Sequence, residues 1–120
     1  MQTTKILIVD DDQVICNLLV AFLKQEGFDA SSVGSGEEAI RQFDAIGYHI
    51  VITDLKMPGL SGQDVLRHIK GASPQTVVVM ITGSCSDSDR REAYENGADA
   101  YLAKPFDIDE LLENLVLMPQ

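Results

Sequence analysis

Three segments of the chain, Lys5 to Val9, His49 to Thr53 and Thr76 to Thr82, are short, uninterrupted and rich in Ile and Val. Runs that are apolar on both faces mark strands covered on both sides, as in a parallel sheet, and parallel strands need crossover helices between them. The intervening sequence supplies those helices. Val14, Ile15, Leu18, Leu19, Phe22 and Leu23 recur at three- and four-residue spacing and predict a helix with one apolar face, which Asp12 can cap and Gly27 can end. A weaker strand, roughly Ala30 to Val33, leads into Ser35-Gly-Glu-Glu38, whose Ser and Glu predict a capping box for a helix carrying Ala39, Ile40 and Phe43.

The alternation then repeats. Met57-Pro58-Gly59-Leu60-Ser61-Gly62 reads as a loop, Val65, Leu66 and Ile69 give the third helix a buried side, and Ser73-Pro74 ends it. Beyond the fourth strand, Ser84 to Ser88 is polar loop, and a helix to about Asn96 offers only Ala93 and Tyr94 as apolar anchors before Gly97 stops it. The last strand, about Ala100 to Ala103, meets Pro105, and the closing helix places Ile108, Leu111, Leu112 and Leu115 at helical spacing. At roughly 1.5–3 kcal/mol for each buried large aliphatic side chain, the fifth helix is well held and the fourth loosely held. The fourth is the element able to move. Five strands alternating with five helices predict an α/β fold: a single doubly wound five-stranded parallel sheet of the flavodoxin-like kind, with residues 1–120 as one domain.

Charge narrows the partners. With 19 acidic against 9 basic residues the net charge is -10, which repels phosphate backbones and anionic lipid, so neither nucleic acid nor membrane is an expected partner. Cys16 and Cys85 form no C-x-x-C pair, which argues against a zinc site or disulfide framework and for a reducing cytoplasm. The apolar run Ile6 to Val9 is closed at once by Asp10, Asp11 and Asp12 and is neither signal peptide nor membrane span.

In doubly wound sheets ligands bind beyond the carboxyl ends of the strands. Those ends carry Asp10 and Asp11, Asp54, Thr82 and Lys104. Crowded carboxylates repel one another, and a hard divalent cation such as Mg²⁺ held by oxygen ligands offsets that repulsion. With a hydroxyl and an ammonium nearby, the set suits phosphoryl transfer, with Asp54 as an acceptor forming an aspartyl phosphate. Taken singly, each residue has a plainer role: the three acids as solvated side chains and a helix cap, Asp54 as a turn residue, Thr82 as a strand end, Lys104 as a surface lysine. Their convergence on one edge argues for a shared site. His49 and His68 fall away from that edge, and Tyr101 is a half-buried aromatic by default.

Ile6-Leu-Ile-Val-Asp-Asp-Asp12, Asp54-Leu-Lys-Met-Pro-Gly-Leu-Ser-Gly62 and Gly97-Ala-Asp-Ala-Tyr-Leu-Ala-Lys-Pro-Phe106 together resemble the receiver domain of bacterial two-component response regulators, over essentially the whole chain. The resemblance implies that Asp54 accepts a phosphoryl group from a phosphohistidine on a sensor histidine kinase or phosphotransfer protein. It implies that Asp10, Asp11, Asp54 and the backbone carbonyl of Lys56 hold Mg²⁺, that Lys104 pairs with the acyl phosphate, and that the Lys104-Pro105 bond is cis. It also implies a switch in which Thr82 turns toward the phosphoryl group and Tyr101 rotates, changing the surface of the fourth helix, fifth strand and fifth helix. Gly83 would leave room for phosphate, and Ser84 sits where side chains influence attacking water. By the same resemblance the domain is not an enzyme beyond autophosphatase activity, and it regulates an output domain or target protein. Gln13, Ser61 and Ala100 depart from the commonest residues of the family without touching these positions.

Two rivals remain. Asp10-Asp-Asp-Gln-Val14 fits the signature of haloacid dehalogenase-like phosphatases, with Asp10 as nucleophile and Asp12 as acid/base, but leaves Asp54 without a role. A flavodoxin-like binding module lacks a phosphate-cradling loop after the first strand. The apolar Leu115-Val-Leu-Met118 suggests a face that meets a partner or a second copy after phosphorylation.

Overall fold

The computed structural model describes residues 3–83 and 86–117, with side chains to Leu115. Among the described residues ten elements alternate: β1 (Lys5–Val9), α1 (Gln13–Gln25), β2 (Asp29–Val33), α2 (Gly36–Ile46), β3 (Ile50–Asp54), α3 (Gly62–Ala72), β4 (Val77–Thr82), α4 (Asp87–Glu95), β5 (Ala100–Ala103) and α5 (Ile108–Leu117). The strands form one parallel sheet in the order β2-β1-β3-β4-β5. This is the expected doubly wound arrangement, and its strand order reverses between β1 and β3.

Alternation along each strand divides the interior into two cores. Ile6, Ile8, Ile50, Ile52, Val79 and Ile81 point toward α1 and α5, where they meet Leu19, Leu23, Leu111 and Leu115. Leu7, Val9, Val51, Val78 and Met80 point the other way, toward Phe43, Val65, Leu66, Ile69 and Ala93 on α2, α3 and α4. Leu115 is thus core, which removes it from the apolar face expected at the chain end; Met118 lies outside the described residues.

The helix α1 is narrower in its contact than its pattern suggests. Val14 and Leu18 are 66% and 65% exposed, whereas Cys16, Leu19 and Leu23 are buried. At about 100° per residue, positions 16, 19 and 23 centre one stripe, and positions 14 and 18 fall well around the cylinder from it. The six-residue apolar face was too wide for one sheet to cover.

The caps are side-chain devices read locally. Asp12 accepts from the N–H groups of Val14 and Ile15 at 3.0 and 3.3 Å. Ser35 accepts from Glu38 N–H at 3.1 Å, but the Glu38 carboxylate accepts from the Ser35 hydroxyl at 3.4 Å, so the expected reciprocal box is not what forms there. The full box is at α3, where Ser61 Oγ accepts from Asp64 N–H and Asp64 accepts from Ser61 N–H at 3.0 Å.

Candidate functional site

Strand register brings the polar residues together. Val9 pairs with Thr53 and Asp54 with Ile81, so Asp10 and Asp54 stand level at the ends of the two central strands, at the point where strand order reverses. Thr82 pairs with Ala103, which puts Lys104 one residue beyond, its N–H donating to the Thr82 carbonyl at 2.7 Å. Asp10, Asp54 and Thr82 are 1%, 7% and 1% exposed, and Asp11 is open to solvent.

One carboxylate oxygen from each of Asp10, Asp11 and Asp54 lies within 4.8 Å of the others. Three hard oxygen donors, two of them buried, are a donor set that fits Mg²⁺ or Ca²⁺ and not a soft metal. Lys104 reaches into the same crevice, donating to Asp10 Oδ2 at 2.9 Å and standing 3.4 Å from Asp54 Oδ2. The other Asp10 oxygen, Oδ1, accepts from Asp12 N–H at 2.9 Å.

Charge balance inside the crevice is unequal. Burial, reinforced by the Asp10 charge, raises the Asp54 carboxyl above the usual carboxylate value, against the opposing pull of Lys104 and a Lys56 N–H. Burial alone would lower the Lys104 ammonium, yet its hydrogen bond to Asp10 and the charges of Asp54 and Asp10 leave it raised. The negative charge of Asp54 is therefore disfavoured in the crevice without further positive charge.

Backbone packing fixes the segment that carries Asp54. Gly62 N–H donates to the Leu55 carbonyl at 2.8 Å. A Cβ at Gly62 would run into the Asp54 carbonyl and come within 2.8 Å of Leu55 Cα, so only glycine allows this approach. A Cβ at Gly83, next to Thr82, would meet none of the described residues within 4 Å. The Lys104-Pro105 peptide is cis.

The remaining expected residues have definite places. Lys56 is exposed two residues beyond Asp54. Tyr101 pairs with Met80 and shares its face of the sheet with Thr82, a diagonal neighbour; its ring lies 6.4 Å from that of Tyr94 on α4. His49 accepts from Lys5 N–H at the opposite edge of the sheet, and His68 pairs with Asp44, so neither joins the site. Ser84 and Cys85 lie outside the described residues. Asp12 turns its carboxylate to the α1 cap, which speaks against its acting as acid/base for an Asp10 nucleophile.

Two contributors escaped the sequence. Cys16 is buried beneath Asp10 and donates its thiol to the Asp10 carbonyl at 3.2 Å; burial above all holds that thiol above its ordinary value. Gln63 is 7% exposed, and its amide bonds to Asp89 of α4 and to the α4 C-cap residue Asn96. Its signal was a polar residue three before Leu66, on the apolar stripe of α3.

The fold and crevice define a doubly wound α/β protein with an acidic, lysine-bearing site at the carboxyl ends of its central strands. The family described as "Response regulator receiver domain" matches residues 6–116, and the chain belongs to it. Among curated relatives, the sensory transduction protein RegX3 of Mycolicibacterium smegmatis is 38% identical over 93% of this chain, and the transcriptional regulatory protein TrcR of Mycobacterium tuberculosis is 33% identical over 92%. The chain spans 49% and 43% of those two relatives. A CheY-like receiver domain protein from Methanospirillum hungatei superposes with TM-score 0.93 at 28% identity, covering 96% of this chain and 92% of that one. A Burkholderia pseudomallei response regulator, solved with a phosphorylated aspartic acid, a calcium ion and citrate, superposes with TM-score 0.88 at 26% identity, covering 93% and 66%. No helix among the described residues is long and apolar enough to cross a membrane.

Proposed function

We propose that this receiver domain, residues 1–120, is a phosphorylation-dependent switch in which Asp54 accepts a phosphoryl group from the phosphohistidine of a sensor histidine kinase or phosphotransfer protein. A carboxylate oxygen of Asp54 attacks phosphorus; the new P–O bond forms as the P–N bond breaks, and its electron pair returns to the imidazole. The observation that carries this reading is the convergence of Asp10, Asp11, Asp54 and Lys104 on one crevice, with Lys104 within 3.4 Å of the acceptor oxygen. The phosphorylated aspartic acid and calcium ion of the Burkholderia pseudomallei relative support it by likeness.

Asp10, Asp11 and Asp54, with the backbone carbonyl of Lys56, would hold Mg²⁺, which when bound supplies charge neutralisation for the transferring group. Lys104 stabilises the acyl phosphate as its ammonium exchanges carboxylate for phosphoryl oxygen. The Thr82 hydroxyl turns to the phosphoryl group and Tyr101 follows, changing the surface formed by α4, β5 and α5. The domain is a signalling protein of the cytoplasm whose only hydrolytic activity is on its own acyl phosphate. That surface regulates an output domain or target protein, or joins a second copy.

Intact mass after incubation with acetyl phosphate tests the reading. One phosphoryl increment that requires Mg²⁺ and is lost in Asp54→Asn is expected; an increment independent of Mg²⁺, or one that survives Asp54→Asn, overturns it.

A further inference from the structure

The helix α4 has few holds on the rest of the molecule. Its one buried residue is Ala93, Tyr94 is 43% exposed, and the Arg67–Glu92 pair joins two half-exposed side chains at 3.5 Å. Against that background the Gln63 amide stands out. Its Nε2 donates to the main-chain carbonyl of Asp89 in the first turn of α4, and its Oε1 accepts from Asn96 Nδ2 at the C-cap, both at 3.1 Å. Asp89, Ala93 and Asn96 form one helical stripe, so Gln63 grips both ends of it with the buried Ala93 between.

The other end of this connection is rigid. Gln63 follows Gly62, whose backbone is packed against Asp54 and Leu55 with no room for a side chain. Displacing α4 would take both partners from a buried amide at once, and an unsatisfied buried amide is costly, so α4 moves in a discrete step and not by gradual drift.

We propose that Gln63 is a two-armed clamp that fastens α4 to the phosphoacceptor segment and sets how readily α4 responds to phosphorylation. This rests on the proposed switch and adds to it a named positioning residue outside the acidic crevice. Beryllofluoride with Mg²⁺, an acyl-phosphate mimic, serves as the probe, with amide hydrogen exchange and tyrosine fluorescence as readouts.

In Gln63→Leu, exchange of the α4 amides rises about tenfold, the equivalent of one net hydrogen bond. Exchange in β1 and α1 is unchanged, and the half-saturating beryllofluoride concentration falls by a similar factor. Asn96→Ala removes one arm from outside the core without threatening the fold, and shifts both readouts the same way by about threefold. Unchanged α4 exchange in both variants overturns the clamp, as does faster exchange with an unchanged or raised midpoint. Wild-type protein that binds beryllofluoride with no change in α4 contradicts the switch itself, and the coupling with it, whatever the variants do.

Discussion

Lys104 and Asp10 lie 94 positions apart in the chain, yet the ammonium sits 2.9 Å from a carboxylate that is almost wholly buried. Removing the cation leaves Asp10 and Asp54 facing each other across the crevice. Lys104→Met is expected to cost about 2 kcal/mol in metal-free urea unfolding, below the roughly 3–5 kcal/mol of a fully buried pair because Lys104 is partly exposed. Millimolar Mg²⁺ should restore part of that loss. Native stability in Lys104→Met without divalent ions would show that the crevice carries no such repulsion.

Asp54 gives stability a definite pH dependence. Its folded pKa is raised, foremost by burial, so the favourable contribution of the protonated group is complete below the unfolded carboxylate value and is lost as pH rises through the folded value. At neutral pH without divalent ions, Asp54→Asn should therefore melt above the native protein. The gap should close on acidification to about pH 4 and narrow on adding Mg²⁺. A variant that melts below the native protein at neutral pH, or a gap that widens in acid, reverses the sign.

Two glycines of α3 separate backbone approach from backbone entropy. Gly62→Ala forces a methyl group into the Asp54–Leu55 backbone and is expected to cost about 3 kcal/mol. Gly71→Ala meets nothing within 4 Å and should stabilise by about 0.5 kcal/mol through helix propensity. Equal effects in chemical denaturation would contradict the close approach at Gly62.

The α1 surface offers a matched pair. Leu18→Lys, at a position 65% exposed, should change stability by no more than about 0.5 kcal/mol. Leu19→Ala, in the core cluster shared with Ile6 and Ile8 of β1, should cost roughly 2–5 kcal/mol. A large loss at Leu18 would restore the wider apolar face.

Much of this architecture was legible because doubly covered strands have no polar face: Ile6 to Val9, Ile50 to Thr53 and Val77 to Ile81 announce themselves, and their carboxyl ends name the crevice. Strand edges differed by a residue, since His49 and Thr76 lie just outside the ladders of β3 and β4. The α1 face misled because periodicity reports apolar positions without the width of the surface that receives them. The cap of α2 misled because Ser35 and Glu38 satisfy the spacing of a box without its second hydrogen bond. Gln63 beneath α4 was invisible because its partners lie 26 and 33 residues away, and Cys16 because only the turn from β1 into α1 folds its thiol back on the Asp10 carbonyl six residues earlier. Charge at a strand end is local information, whereas a buried amide gains meaning only from what packs on it.

The identity of the phosphorylated residue is the most direct test of the site. After incubation with acetyl phosphate and Mg²⁺, borohydride reduction converts an aspartyl phosphate to homoserine, which peptide mass mapping locates in the chain. Homoserine at position 54, with Asp10 and Asp11 unmodified, is the expected result. Homoserine at position 10 would contradict the acceptor assignment and make Asp10 the nucleophile, and reduction at neither position would mean that the crevice does not form an acyl phosphate.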